Sequence, residues 1–170
     1  MDRRTICDDE LHAHFVTFSC YRRRRLLDHD RAKRIVSGVL AAQLASRDAA
    51  CVGFVVMPDH VHAIVWFPQP GQLSVFMQQW KRISSHHIRR WVQEELTSYA
   101  RRVGSGDPLW QAKYYSVNLC DEEEIRERLT YIHGNPVRAG LVSRPCEWAF
   151  GSARYYEKGR SVGVPIRWVG

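Results

Sequence analysis

Apolar positions along the chain change period several times, and each change marks an element. Residues 12–20, His-Ala-His-Phe-Val-Thr-Phe-Ser-Cys, are dense in β-branched and aromatic types and predict a strand. After the run Arg22-Arg23-Arg24-Arg25, residues 30–46 carry Ile35, Val39, Leu40 and Leu44 at helical spacing, with Asp28 or Asp30 as the expected cap. Residues 51–57 are an almost unbroken apolar run and predict a buried strand. Pro58-Asp59 is a turn signal, and residues 60–67 form the next strand, stopped by Pro68-Gln69-Pro70-Gly71. So short a turn predicts an antiparallel hairpin. A long helix is expected from about Leu73 to Ala100, with Phe76, Trp80, Ile83 and His87 on one face, followed by Trp91 and Leu96. Residues 101–109 read as a loop and Tyr115–Leu119 as a short strand. Asp121-Glu122-Glu123-Glu124 suits the positive end of a helix, which Gly134-Asn135-Pro136 is expected to end.

The order is strand, helix, strand, strand, helix, strand, helix. This is an α+β chain whose first six elements fit a ferredoxin-like split βαβ plan with an antiparallel sheet, plus an additional helix carrying Tyr131. Helices covering one sheet face would leave the other available. Residues 1–170 read as one domain, with a short C-terminal extension from about residue 143 and neither repeat nor linker.

Charge narrows the partner. The net charge is +7, and 21 of the 25 basic residues are Arg, whose planar fork fits phosphate and stacks on bases. A polyanion, most simply nucleic acid, is the expected partner, although a coding preference for Arg explains part of the Arg-to-Lys ratio. Cys7, Cys20, Cys51, Cys120 and Cys146 are odd in number and lack C-x-x-C spacing, which predicts reduced, mostly buried thiols in a cytoplasmic protein. No apolar stretch approaches a membrane span, and Met1-Asp2-Arg3-Arg4-Thr5 leads into no signal-like run.

His60 and His62 stand two apart in a predicted strand, so both imidazoles share one face while Val61 and Ala63 take the other. Two neutral imidazoles at this spacing can hold one divalent ion. The same pattern also fits hydrogen-bonded core histidines, and alone it does not separate a nuclease from a cupin-like metal site.

Ile125, Leu129 and Ile132 make the core stripe of the last helix. Tyr131 lies roughly 120° away from that stripe, and Asn135 shares its face if the helix lasts that long. An off-stripe tyrosine with an amide one turn on can present its hydroxyl to a site, and it can equally be a surface tyrosine. A phenol of ordinary pKa about 10 needs help to attack a phosphodiester, which a metal can give by polarising the phosphate oxygens. Two imidazoles and an amide oxygen tolerate Mg²⁺ and suit Mn²⁺ better.

At this point the residues resemble a family. Val55-Val56-Met57-Pro58-Asp59-His60-Val61-His62 is similar to the "MPdHvH" block of the REP-associated tyrosine transposases, relatives of the single-tyrosine HUH, IS200-like transposases. Tyr131-Ile132-His133-Gly134-Asn135-Pro136-Val137-Arg138-Ala139-Gly140-Leu141-Val142 resembles their "YIhxNPVkaGLV" block. Trp110-Gln111 with Tyr114-Tyr115 looks like their "WQxxfy" element, Lys81 sits where they often have a lysine, and Trp148-Ala149-Phe150-Gly151-Ser152 is similar to a "W-x-x-S-S" signature from which Gly151 departs. The resemblance implies His60, His62 and Asn135 as ligands of Mg²⁺ or Mn²⁺ and Tyr131 as nucleophile. It implies cleavage of single-stranded DNA at or near hairpins through a 5′-phosphotyrosine, with release of a 3′-hydroxyl. Relatives include monomers and homodimers, and either state is compatible with this chain.

Arg22, Arg23, Arg24 and Arg25 are expected to contact phosphates, and Lys81 and Arg82 the DNA backbone. Tyr114, Tyr115, Tyr155 and Tyr156 read as packing or stacking residues, His133 as structural, and His86 and His87 as helix-surface or core residues. Trp80, Trp91, Trp110 and Trp148 read as core, with one exposed Trp able to stack a base. Two other functions fit the residues less well: a domesticated, non-catalytic module that grips hairpin DNA or RNA, and a metal protein acting on small molecules.

Overall fold

The apolar runs pair into a single sheet. In the computed structural model, which describes residues 11–95 and 106–170, β1 (Ala13–Ser19), β2 (Ala50–Val56), β3 (His60–Trp66) and β4 (Tyr115–Leu119) stand in the order β2-β3-β1-β4. All three pairings are antiparallel. The helices are α1 (Asp30–Ala45), α2 (Gln72–Glu95), α3 (Glu122–Arg138) and the short α4 (Ala153–Lys158). This is the expected ferredoxin-like plan with an additional helix. Leu96 and residues 96–105, read above as helix end and loop, lie outside the described residues.

The strand period decides what each face carries. Val16, Phe18, Val61, Ala63 and Val65 point to one face, where Phe76, Met77, Trp80 and Ile88 of α2 and Val36 and Leu40 of α1 close the larger core. Phe18 packs edge-on to both Trp80 and Trp110 at 4.7 and 4.6 Å between ring centres. Ile88 and Ser84, rather than His87 and Ile83, complete the buried side of α2; His87 is exposed. Trp80, Trp91 and Trp110 are buried as expected. The α1 cap is His29, whose ring accepts from the Arg31 backbone N–H, so neither Asp28 nor Asp30 has that role.

The opposite face is not left open. Phe15, Val52, Val55 and Ile64 pack there against Ile125, Leu129 and Ile132 of α3, with Trp148 and Trp168 adding partial cover. The extra helix has its own apolar stripe, and burying it on the second face satisfies both surfaces. Gly53 permits the close approach, since a Cβ at that position would stand 2.3 Å from Leu129 Cδ1.

Helix α3 does not end at Gly134-Asn135-Pro136 but continues to Arg138. Its N-terminus is capped by Asp121, which accepts from the Glu124 N–H, while Glu124 accepts from the Cys120 N–H. Its C-terminus closes at Gly140, in the left-handed region at φ 73°, where the Gly140 N–H reaches Val137 O and the Leu141 N–H reaches Pro136 O. Pro136 costs the helix one N–H, but its ring is buried and the paired bonds beyond it hold the last turn. Cys20, Cys51 and Cys146 are buried free thiols and Cys120 an exposed one. Burial pushes Cys20 and Cys51 up to about 12, so both stay protonated. Among the described residues, no helix is long and apolar enough to cross a membrane.

Candidate active site

Strand β3 aims His60 and His62 at the second face, beneath α3, and the continuing helix sets Tyr131 and Asn135 above them. The two imidazole centres are 4.7 Å apart. His60 Nδ1 lies 2.7 Å from Asp59 Oδ1. A carboxylate only accepts, so Nδ1 carries the proton and the lone pair is on Nε2. That lone pair faces the Asn135 amide, whose Nδ2 is 3.1 Å away. His62 Nδ1 lies 2.6 Å from Thr17 Oγ1. This hydroxyl can accept from Nδ1–H, and in that tautomer His62 too presents its Nε2 lone pair.

Burial holds both rings neutral. His60 is pushed below its ordinary value by desolvation, which outweighs the opposing pull of Asp59. His62 is pushed down to about 3, first by burial, then by His60 and by Arg23, Arg138 and Arg128. Neutral imidazoles oriented through their far nitrogens are the state a cation requires. Among the described residues no group of three His, Cys, Asp or Glu side chains is placed to hold an ion; the side-chain amide that meets His60 Nε2 is that of Asn135, and turning it over would offer its oxygen in place of Nδ2. The donor set therefore fits a hard or borderline divalent ion with room for phosphate oxygens.

Tyr131 is 45% exposed, so its hydroxyl is open to a substrate. Its ring centre stands 5.8 Å from that of His62, edge-on, and 6.4 Å from that of Phe15. The Arg138 guanidinium lies 4.5 Å over the Tyr131 ring and donates to the Tyr131 carbonyl. Arg128 covers Phe15 in the same way at 4.9 Å.

Residues 7–135 match the family described as "Transposase IS200 like", a span that takes in His60, His62, Tyr131 and Asn135. The chain belongs to that family. It is similar to the REP-associated tyrosine transposase of Escherichia coli (strain K12), with 25% identity over 117 residues covering 69% of this chain and 61% of that protein. The matched region thus spans about three fifths of that relative's length. The solved structure of a REP-associated tyrosine transposase bound to a REP hairpin superposes with a TM-score of 0.69 at 22% identity, covering 100% of this chain and 91% of that one. At that identity the likeness establishes a shared fold.

This IS200-like chain distributes its basic residues unevenly around the site. Within the arginine run, Arg23 turns toward the histidines: it donates to Ser19 Oγ at 2.9 Å and lies 3.3 Å from Asp59. Arg22 and Arg23 both adopt left-handed backbone, φ 55° and 56°, which lets the chain reverse directly after β1. Arg24 pairs with Asp107, Arg25 with Asp28, and Arg22 lies over the Tyr21 ring. Lys81 is half-buried and donates to the carbonyls of Gln111 and Ala112, so it ties α2 to the segment before β4; burial lowers its pKa. Arg82 is bound to Gln79 along the surface of α2.

Arg128 and Arg138 were not singled out from sequence, yet they lie closest to Tyr131 and Phe15. The signal existed in their spacing: Arg128 precedes Tyr131 by three residues and Arg138 follows it by two turns, so both border its helix face. His133 is structural, as expected: its Nε2 meets Ser152 Oγ at 2.7 Å, and Ser152 also bonds the Phe54 backbone. Burial pushes His133 down to about 4.

Proposed function

We propose that this chain is a metal-dependent single-stranded DNA endonuclease and strand transferase, a tyrosine transposase that works through a 5′-phosphotyrosine at or near DNA hairpins. The observation that carries the reading is the convergence of His60 Nε2 and the Asn135 amide at 3.1 Å with the exposed Tyr131 phenol beside His62. The hairpin named with the structural neighbour supports the choice of DNA, and the basic charge agrees with it. Residues 1–170 act as one catalytic domain in this reading, the part beyond about residue 143 being a short extension.

His60, His62 and Asn135 would hold the ion, Mg²⁺ or Mn²⁺. Bound there, it would draw charge from the scissile phosphate oxygens. The protein supplies the remainder. Asp59 and Thr17 keep the two rings in the tautomer that offers Nε2. Arg23, Arg128 and Arg138 surround the site with positive charge that favours phosphate. Arg22, Arg24, Arg25, Lys81 and Arg82 contact the substrate only farther out.

The Tyr131 hydroxyl oxygen attacks phosphorus in line. The Tyr131 O–H bond breaks, its proton passing to solvent, a Tyr131 O–P bond forms, the bond from phosphorus to the 3′-oxygen breaks, and the departing 3′-oxygen takes up a proton from solvent to become the 3′-hydroxyl. Attack by a 3′-hydroxyl on the phosphotyrosine reverses the step and rejoins strands without a nucleotide cofactor.

A covalent-adduct assay tests this. Protein is mixed with labelled hairpin DNA from the flanks of its own gene, with Mn²⁺ or with chelator, and resolved under denaturing conditions. A metal-dependent DNA–protein band that disappears in Tyr131→Phe and His60→Ala is the expected result. An adduct that survives Tyr131→Phe moves the nucleophile elsewhere. Tight hairpin binding without any adduct converts the reading to a non-catalytic hairpin-binding module.

A further inference from the structure

One cross-sheet row continues past the histidines to the sheet edge. His62 on β3 is the register partner of Thr17 on β1, and Thr17 is the partner of Tyr115 on β4. All three side chains therefore point to the second face, and neighbouring strands about 4.8 Å apart put Tyr115 roughly 10 Å from His62. Ser19, the next β1 residue on this face, is the partner of His60. Thr17, Ser19, Arg23, Gln111, Lys113 and Tyr115 line a groove of about 310 Å³. Two of the three β1 residues in that groove, Thr17 and Ser19, are thus paired with His62 and His60, and Thr17 also bonds His62.

The groove combines two chemistries. Tyr115 is 57% exposed on the edge strand, the most exposed large aromatic side chain among the described residues, and Lys113 beside it is exposed as well. Arg23 enters from the histidine end, where it bonds Ser19 and Asp59. An open phenol face flanked by two cations and two hydroxyls suits a base with its phosphate. It does not suit a duplex, whose bases are already stacked. Tyr114 also lines the groove, but it is partly buried and packed against the larger core, which leaves Tyr115 as the open ring.

We propose that this groove is a nucleotide subsite in which Tyr115 stacks the base of an unpaired nucleotide next to the scissile phosphate, with Lys113 and Arg23 on its backbone. The inference rests on the proposed DNA-cleaving reading for the position of the scissile bond. The subsite makes the strand single at that point and fixes which phosphate reaches Tyr131.

The test uses binding, so it does not depend on cleavage. Full-length protein is titrated into hairpin oligonucleotides with single-stranded flanks, carrying 2-aminopurine at each of the three positions on either side of the cleavage point, in chelator. One position is expected to change its fluorescence on binding. Tyr115→Ala should abolish that change and weaken affinity about tenfold, the scale of one lost base stack, while Tyr115→Trp should retain both. Lys113→Ala should lower the salt slope by about one without altering the fluorescence. If no position distinguishes Tyr115→Ala from the parent protein, the subsite is overturned. Parent protein that gives the fluorescence change but forms no Tyr131 adduct with Mn²⁺ leaves the subsite standing and defeats the cleavage reading.

Discussion

The Thr17 hydroxyl and the Nδ1 of the His62 ring meet at 2.6 Å across the central strand pair. The second imidazole is therefore oriented from the neighbouring strand, not from its own. Thr17→Val keeps the shape and the β-propensity but removes the partner, so the ring is free to place its proton on Nε2. Mn²⁺ affinity measured by calorimetry should fall about 10- to 100-fold with little change in thermal stability. Unchanged affinity would mean that Thr17 does not set the tautomer.

Arg138 covers the Tyr131 ring at 4.5 Å and is itself exposed. In Arg138→Ala the single-turnover adduct rate at saturating DNA should drop about tenfold, the effect of losing one charged contact near the reacting phosphate. Arg138→Lys should recover part of it, since the charge returns without the planar fork. A loss confined to DNA affinity would assign Arg138 to docking alone.

The buried imidazoles give stability a pH dependence of definite sign. His62 sits at about 3 and His133 at about 4, both below the ordinary 6.5, because burial disfavours the charged ring. Between those values and 6.5 the unfolded chain binds protons that the folded chain refuses. Stability of the metal-free protein should be full above pH 6.5 and fall as pH drops, by about 1.4 kcal/mol per unit for each group. Urea unfolding from pH 7.5 to 5 checks this, and His133→Gln should flatten the slope. A midpoint that does not move across that range contradicts it.

Gly53 lies under Leu129, where an added Cβ would stand 2.3 Å from Leu129 Cδ1 and 3.1 Å from Ser152 Oγ. Gly53→Ala should cost about 1–3 kcal/mol in denaturant unfolding as the core is overfilled. It should also lower cleavage by more than the lost stability accounts for, because α3 carries both Tyr131 and Asn135. Full activity at reduced stability would show that Leu129 yields without moving the helix.

Gly140 occupies left-handed backbone at φ 73° with open space around it. Gly140→Ala should therefore destabilise by about 1 kcal/mol through backbone strain alone, without a packing term. A larger loss in thermal unfolding would indicate that the Leu141–Pro136 bond had opened as well.

Much of this arrangement is legible in the chain because it is written in short periods. The alternation around His60 and His62 predicts both the hairpin and the shared face, and Asp121 with Glu124 marks where α3 begins. Its end is misread because Gly134 and Pro136 are breakers in isolation, whereas the bonds from Gly140 and Leu141 carry the helix past them. The same error leaves Asn135 conditional, although the structure puts it inside the helix. Asp28 and Asp30 are better caps by propensity than His29, but the His29 ring is the one that reaches the Arg31 N–H. Occupation of the second sheet face by α3 is invisible to any window shorter than the chain, as are the places of Arg128 and Arg138 over Phe15 and Tyr131. Lys81 looks like a free cation in sequence because its acceptors, Gln111 O and Ala112 O, lie thirty residues away.

The unbroken run of α3 through Pro136 has a mechanical meaning. Tyr131 and Asn135 ride on one rod, clasped at Gly140 and seated on Gly53, so neither can shift without the other. A DNA end tethered to the phenol would therefore be carried by the whole helix. Any swing that drew the tether away from His62 would at the same stroke pull the amide off His60, so release of the strand would also part the groups proposed to hold the ion.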